Sequence, residues 1–419
     1  MTSQFTTLNH PTLPTEAAAR LVWAYLVEPG DEVAGTFTTI FGAAEALDLL
    51  EHAKNAPHFV TTVHSQDRDS ALQHSSVTPQ ALRAAYERWI LRLNNFQARE
   101  YFEKSSHSDF QIVTPEHQLW PPQLRDLGYA APHALWIRGS VWATHQPAVA
   151  VVGARAVTAY GREVTAHLSY EACQLGHGVV SGAAFGVDAV AHNTALRAAT
   201  TPTVAVLAGG IDKPYPRAHS ELLTQITTNG GAVCSEVPPG TAPTRWRFLQ
   251  RNRLIAAFAH TTIVTEAGYR SGAVNTAAHT AQIGRNLGAV PGRIDAPNSQ
   301  GCFRIIKEYG ADMITDVHDL QNLIGTAVEP DLPAPAASSS GSPGAATPPR
   351  ELSIHTRVLD AIPLRESATE TELAQTSGLS ERELRNALAE LQLLGKVVKH
   401  HKNSNPSWAH PKRNESLRH

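Results

Sequence analysis

Three features of the sequence predict an α/β protein built on a doubly wound parallel sheet, with smaller helical segments before and after it in the chain. From Ala148 to about Ile324, apolar strand-like runs alternate with helical stretches, the pattern of a parallel sheet covered on both faces. Small residues, glycine above all, follow those runs repeatedly, at the strand ends where open α/β sheets bind ligands. A chain of 419 residues is also too long for one ordinary core and predicts roughly two to three domains.

Taken in order, Thr15 to Ala56 reads as short helices: Ala17 to Val27 is amphipathic, Pro29-Gly30-Asp31 breaks the run, and Phe41 to Leu50 carries leucines at helical spacing. Thr78 to Glu103 reads as another helix, opened by Thr78-Pro79, with Leu82, Tyr86, Trp89 and Leu93 along one face. Trp89 and Phe96 are expected in a core rather than at a cofactor. Gln111 to Ser140 turns to short extended pieces with prolines, a lead-in to the sheet. The expected strands are Ala148 to Val152, Gly178 to Ser181, Thr203 to Leu207, Ala232 to Ser235, Thr261 to Thr265 and Leu287 to Val290.

After Ile324 the composition collapses into Pro, Ala, Ser and Gly from Glu329 to Arg350, which is a linker. His355 to Ala361, Thr371 to Thr376 and Ser380 to Leu394 then read as three helices, followed by a two-stranded ribbon, the order of a winged helix. The resulting boundaries are a helical domain over 1–110, the α/β domain over 111–325, a linker over 326–350, a winged-helix domain over 351–411 and a basic tail over 412–419. The helix placed to read DNA carries Glu381, Arg382, Glu383, Arg385 and Glu390, a balance better suited to protein contact than to phosphate.

A formal charge of −3 excludes indiscriminate polyanion binding by the whole surface. The three cysteines, Cys173, Cys234 and Cys302, match neither a disulfide framework nor a metal-ligand spacing, so a reducing, cytoplasmic setting and no metal are expected. No apolar run reaches the ~18 residues that cross a bilayer, and no membrane partner is expected.

Positive charge is instead local. Between Gly240 and Arg293 there are seven arginines, no lysine and one acid, Glu266. Arg245, Arg247, Arg251 and Arg253 interleave with Trp246 and Phe248, a mixture suited to a polyanion that also offers flat rings. Of Trp246, Phe248, Tyr215 and Phe185, one or two are expected to stack on bases. The turn after the first long strand reads GARAVTAYG and lacks the second glycine of a dinucleotide fingerprint. No P-loop occurs either, so cofactor and ATP chemistry are not expected. Asp188 and His192 lie four apart, which makes an acid/base pair conceivable. Asp188 stabilising the start of its own helix, with His192 packed beside it, is the simpler expectation.

The runs VGARAVTAYG (Val152 to Gly161), SGAAFGVDAVAH (Ser181 to His192), VLAGGIDKPYP (Val206 to Pro216), FLQRNRLIAA (Phe248 to Ala257), EAGYRSGAVNTAAHTAQIGR (Glu266 to Arg285) and VPGR (Val290 to Arg293) together resemble the DNA-processing protein A family, DprA or Smf. The resemblance runs from about Trp120 to Ile324. It implies an extended Rossmann-like domain, a sterile-alpha-motif-like (SAM-like) helical domain before it and a winged helix after it. It also implies a protein without catalytic residues or cofactor that binds single-stranded DNA, dimerises and loads RecA recombinase during natural transformation. Matched motif by motif, the DNA-binding positions are Arg155, Ser181, Gly182, Gly209, Gly210, Lys213, Arg251, Asn252 and Arg253. The family usually has Thr or Ser in place of Ala154 and Asn in place of His219. Nucleotide-processing phosphoribohydrolases share this kind of fold, and an enzyme of that class, working through Glu266, is the alternative.

Overall fold

The computed structural model describes residues 15–67, 70–72, 74–105, 109–325, 353–363, 366–402 and 405–411. The linker from Glu329 to Arg350 and the tail 412–419 lie outside the described residues. The N-terminal stretch forms helices α1 (Thr15–Leu26), α2 (Glu32–Phe41), α3 (Ala43–Glu51), α4 (Ala56–Gln66), α5 (Pro79–Leu93) and α6 (Ala98–Ser105). The long helix expected from Thr78 to Glu103 is broken into α5 and α6 at Asn94, a residue type that competes with helix for its own backbone. Asp31 caps α2 by accepting from the Ala34 N–H and also accepts from the Trp89 indole at 3.2 Å. Trp23, Phe37, Phe59 and Trp89 pack around that point, Phe37 stacked on Trp89 and the other pairs edge to face, with Trp23 and Trp89 centroids 5.0 Å apart. Trp89 and Phe96 are both buried, as core residues.

The middle of the chain carries β1 (Gln111–Val113), β2 (Leu135–Gly139), β3 (Ala148–Gly153), α7 (Ala159–Gln174), β4 (Gly178–Ser181), α8 (Val187–Ala198), β5 (Thr203–Val206), α9 (Ser220–Thr228) and β6 (Ala232–Ser235). It continues with α10 (Arg245–Phe258), β7 (Thr261–Glu266), α11 (Gly272–Gln282), β8 (Asn286–Ala289), α12 (Gln300–Tyr309), β9 (Asp312–Met313) and α13 (Val317–Gly325). The nine strands form one sheet in the order β1-β2-β6-β5-β4-β3-β7-β8-β9. All pairs are parallel except β1 with β2 and β2 with β6.

Alternate side chains of β3 divide between two cores. Val149 and Val151 join Leu168 of α7, Ala191 and Ala195 of α8 and Leu320 and Leu323 of α13 on one face. Ala148, Ala150 and Val152 join Leu254 and Phe258 of α10, Ala273 and Ala277 of α11 and Ile305 of α12 on the other. Burial on both faces is why these strands read as continuous apolar runs, and each buried Val, Leu or Ile contributes about 1.5–3 kcal/mol. The chain steps from β3 out to β6, then returns through α10 to lay β7 against the other side of β3. The strand order therefore reverses at β3, where doubly wound sheets open a crevice at their carboxyl ends.

The C-terminal segment holds α14 (Ile354–Ala361), β10 (Ala368–Thr369), α15 (Glu370–Ser377), α16 (Glu381–Leu393), β11 (Val398–Lys402) and β12 (Asn405–Ala409). The strands β11 and β12 pair as an antiparallel hairpin, and β10 adds a third strand beside β12. This segment does not stand as a unit of its own. Its contacts group residues 353–411 with the N-terminal helices and 244–246, while the sheet and its helices form the second compact unit. Arg92 of α5 accounts for part of this: it pairs with Glu28 and donates to the Gln375 carbonyl of α15 at 2.6 Å. Among the described residues no single helix is long and apolar enough to cross a membrane.

Candidate nucleic-acid interface

The carboxyl edge of the sheet is assembled from the turns that follow β3, β4 and β5. After β3, the Ala154 N–H donates to the Glu266 carbonyl of β7 at 2.7 Å and the Ala154 carbonyl accepts from the Val187 N–H of α8 at 3.1 Å. That stitching across the crevice leaves Arg155 exposed at the surface. It also brings Gly186 against the Ala154 carbonyl at a φ of +80°, a close approach and a backbone conformation that only glycine accommodates.

Beneath this turn lies a buried polar cluster. Asp188 accepts from the Gly182 and Ala184 N–H groups at 3.1 and 3.2 Å, so it holds the turn after β4. The cap position of α8 is Gly186, with no side-chain cap, and Asp188 lies in the first turn of the helix, where its start was expected to gain from a carboxylate. Burial pushes the Asp188 carboxyl up, against the opposing pull of Arg251 and those N–H groups. His192 is fully buried, 2.8 Å from the Thr203 hydroxyl, and burial brings its pKa down to about 3.

Of the nine residues expected to bind DNA, the structure buries seven, four of them with polar side chains. The Ser181 hydroxyl donates to the Val151 carbonyl at 2.7 Å inside the sheet. Arg251 donates to the Gly182 carbonyl at 2.8 Å and to the Val206 carbonyl, clamping the ends of β4 and β5. Burial lowers Arg251 to about 10, so it remains charged at neutral pH, and a side chain at Gly182 would collide with its guanidinium. Asn252 joins α10 to α11 through the Gly272 carbonyl and the Asn275 side chain, each at 3.2 Å. Arg253 is 2 % exposed; it forms a two-pronged ion pair with Glu236 at 2.8 and 2.6 Å and donates to the Ala130 carbonyl at 2.9 Å. Arg251 and Arg253 are thus engaged in the interior, and of the three arginines expected to bind DNA Arg155 is the one that reaches the surface.

The glycines of the third turn are packed as well. Gly209 accepts from Ser235 at 2.9 Å and Gly210 donates to the Thr241 carbonyl at 2.8 Å. Lys213, beyond them, is exposed, with its ammonium 2.6 Å from the Gly240 carbonyl.

What reaches solvent is a set of rings among cations. Phe185 is 49 % and Tyr215 48 % exposed. Phe185 meets the His219 ring edge-on at 4.6 Å, and His219, standing where Asn is usual, bonds the Ala183 carbonyl at 2.8 Å. Tyr215 lies 5.5 Å from Phe248. Phe248 is half-buried between two guanidiniums, with Arg155 5.0 Å and Arg251 5.8 Å from its centroid, so it serves as the wall behind the surface rather than an open platform. Trp246, grouped with the first unit, carries the Arg357 guanidinium 4.4 Å over its ring. Arg217 is also exposed beside Tyr215 in sequence; sequence reasoning passed over it, although the run Tyr215-Pro216-Arg217 places a cation two residues from a ring.

Two exposed rings bordered by Arg155, Lys213 and Arg217 can stack on unpaired bases while neutralising phosphates. Glu266, by contrast, turns inward: it accepts from the Thr158 N–H and hydroxyl at 3.0 and 3.1 Å and anchors the start of α7. Among the described residues no group of His, Cys, Asp and Glu is arranged to hold a metal ion.

Residues 111–325 match the family model described as DNA recombination-mediator protein A. A protein of Mycobacterium tuberculosis named as a DNA processing protein, DprA, is 39 % identical over 298 residues, covering 68 % of this chain and 74 % of the relative. The Escherichia coli protein Smf is 34 % identical over 255 residues, 60 % of this chain and 66 % of its own length. The crystal structure of DNA processing protein A from Streptococcus pneumoniae superposes with a TM-score of 0.56 at 25 % identity, covering 74 % of this chain and 98 % of that one.

Proposed function

The chain belongs to the DNA recombination-mediator protein A family, and from that premise we propose that it binds single-stranded DNA at the carboxyl edge of its sheet. The observation that carries the reading is the pair of half-exposed rings, Phe185 and Tyr215, set among the exposed cations Arg155, Lys213 and Arg217. Paired bases hide their faces in a duplex, so stacking selects single strands, while the cations supply affinity without sequence preference. Arg251 supports this surface from below: it fixes the strand-end carbonyls and keeps a positive charge under the turn after β4.

In this reading the DNA leaves chemically unchanged, no cofactor or metal takes part, and the bound strand is handed to RecA recombinase by a homodimer in the cytoplasm during natural transformation. The C-terminal segment is read as a winged helix that contacts protein. The phosphoribohydrolase alternative needs a carboxylate aimed at substrate, and the contacts of Glu266 at the start of α7 weigh against it.

The test is fluorescence anisotropy with single- and double-stranded oligonucleotides across a salt series, followed by chromatography of the incubated nucleic acid. Preference for the single strand with intact product supports the reading. Release of free base, abolished by Glu266→Gln and without single-strand preference, would replace it with the hydrolase. Faster RecA assembly on single strands in the presence of the chain tests the hand-over.

A further inference from the structure

The turn after β4, which carries Phe185, is held from two sides. Asp188 accepts from the Gly182 and Ala184 N–H groups, and the carbonyl between them, that of Ala183, is held by Nδ1 of His219 at 2.8 Å. Ala183 is fully buried at a φ of +53°, a conformation that residues other than glycine seldom adopt, so the turn needs bonds on both sides to keep it. The same imidazole meets the Phe185 ring edge-on at 4.6 Å. His219 itself is half-buried at the amino end of α9, beside the surface proposed for DNA.

A carbonyl only accepts, so Nδ1 carries the proton of the neutral ring and Nε2 carries the lone pair. Nε2 has no hydrogen-bond partner among the described residues and is not one of their buried side-chain atoms lacking one, so it meets water. A second proton places a charged donor at that atom and leaves the bond to Ala183 intact. Of the side-chain types on this surface, histidine is the one whose charge changes between about pH 5 and 8.

The surroundings hold few competing charges. Helix α9 packs against α8, β2, β5 and β6. From α8 come Asp188 and His192, both buried. Asp188 is occupied by the turn and faces the charge of Arg251 on α10, and His192, at about 3, stays neutral near neutral pH. Arg138 of β2 lies in register with Val233, toward the other end of α9, where Gly139 meets Thr227. Strand β5 brings no ionisable side chain and β6 only the Cys234 thiol, buried in the opposite core. Arg217 and Glu221 flank His219 on its own segment, both exposed.

We propose, on the single-strand reading, that His219 is a further DNA contact: Nε2 donates to a backbone phosphate when both ring nitrogens carry protons, so single-strand binding tightens as the solution turns acidic. A nucleotide whose base lies on Phe185 carries its phosphate one sugar away, within reach of the ring beside it. Binding then takes up a proton at Nε2, while Nδ1 goes on bracing the turn that presents Phe185.

The full-length chain is titrated with labelled oligothymidylate, whose bases do not titrate in this range, at about pH 5.5 and about pH 8 over roughly 50–200 mM salt. The parent should bind more tightly in acid, with a slope of log affinity against log salt steeper by ~0.7, the share of one phosphate on a single strand. Over that salt range the acid sample should lose about two- to threefold more affinity than the other. Calorimetry in two buffers of different ionisation heat should record proton uptake by the parent. His219→Asn keeps a side-chain N–H for the Ala183 carbonyl and lacks the outer nitrogen, so it should melt like the parent, show one slope at both pH values and take up no proton. Equal slopes in the parent overturn the proposal without any variant, and so does a His219→Asn chain that keeps the parent's pH response. Both of those outcomes leave single-strand binding standing, whereas a parent that binds no single strand at either pH removes that reading and His219's role with it.

Discussion

Helix α10 and the loops at the carboxyl ends of β3 to β5 both carry positive charge, and they use it in opposite ways. On α10 Arg245 is exposed, but the other three guanidiniums point inward: Arg247 donates to the Ala242 carbonyl, Arg251 to two strand-end carbonyls and Arg253 to Glu236. On the loops, Arg155, Lys213 and Arg217 reach solvent beside exposed rings. Elsewhere in the arginine-rich window, Arg285 pairs with Asp126 and Arg293 with Asp295. A cluster of arginines in sequence thus marks an electrostatic region without saying which members are already satisfied by the fold. The interior set shapes the crevice and the loop set is left to meet a ligand.

Substitutions should separate the two sets. The largest effect is expected at Arg253→Ala, which leaves the buried Glu236 carboxylate unpaired; breaking such a pair costs about 3–5 kcal/mol, read as a large fall in Tm with little soluble protein. Replacing both partners by apolar residues of similar size should recover most of that loss, because no charge is then stranded. Arg251→Ala should cost about 1.5–3 kcal/mol through its lost charged hydrogen bonds. It should also lower DNA affinity, since the turn it braces loosens. If Arg253→Ala leaves Tm unchanged, the division between interior and surface fails at its clearest point.

Phe185→Ala and Tyr215→Ala invert the pattern. Each should leave stability within ~0.5 kcal/mol while single-strand affinity drops by ~1–3 kcal/mol for each base no longer stacked. Isothermal titration beside a melting curve checks both halves. A variant that melts earlier and binds normally would reassign its ring to the core.

Acid should act on the interior through His192 of α8. Burial lowers His192 to about 3, whereas in the unfolded chain an imidazole titrates near ~6.5. Between those values the unfolded chain binds a proton that the folded one refuses, so the stability is whole above ~6.5 and is lost as pH falls toward 3. At pH 5.5 this amounts to about 1.4 kcal/mol. His192→Gln should flatten that limb of the stability curve, measured by denaturant midpoints at matched pH.

The six central strands were legible because they are buried on both faces and end in small residues; Gly178 to Ser181 and Ala232 to Ser235 fall on their expected bounds. The two-residue strand β9 carried no such signal, since both its residues are exposed. Nor could the sequence announce that the C-terminal segment packs with the N-terminal helices, because the Arg92 to Gln375 contact spans 283 positions. At the candidate site the turns were readable from their small residues, Lys213 only through the family resemblance, and Arg217 not at all. Nor was the fate of each guanidinium readable, because it depends on which carbonyls and carboxylates tertiary packing brings beside it.

The most direct test is the salt dependence of single-strand binding by the parent chain, by Arg155→Ala and by Arg253→Lys. A guanidinium on the loop that contacts one phosphate contributes ~0.7 to the slope of log affinity against log salt. The account predicts that Arg155→Ala binds more weakly with a slope shallower by about that amount. Arg253→Lys, whose charge is enclosed by Glu236, should keep the parent slope even as its Tm falls. An unchanged slope for Arg155→Ala, or a shallower one for Arg253→Lys at full stability, would contradict it.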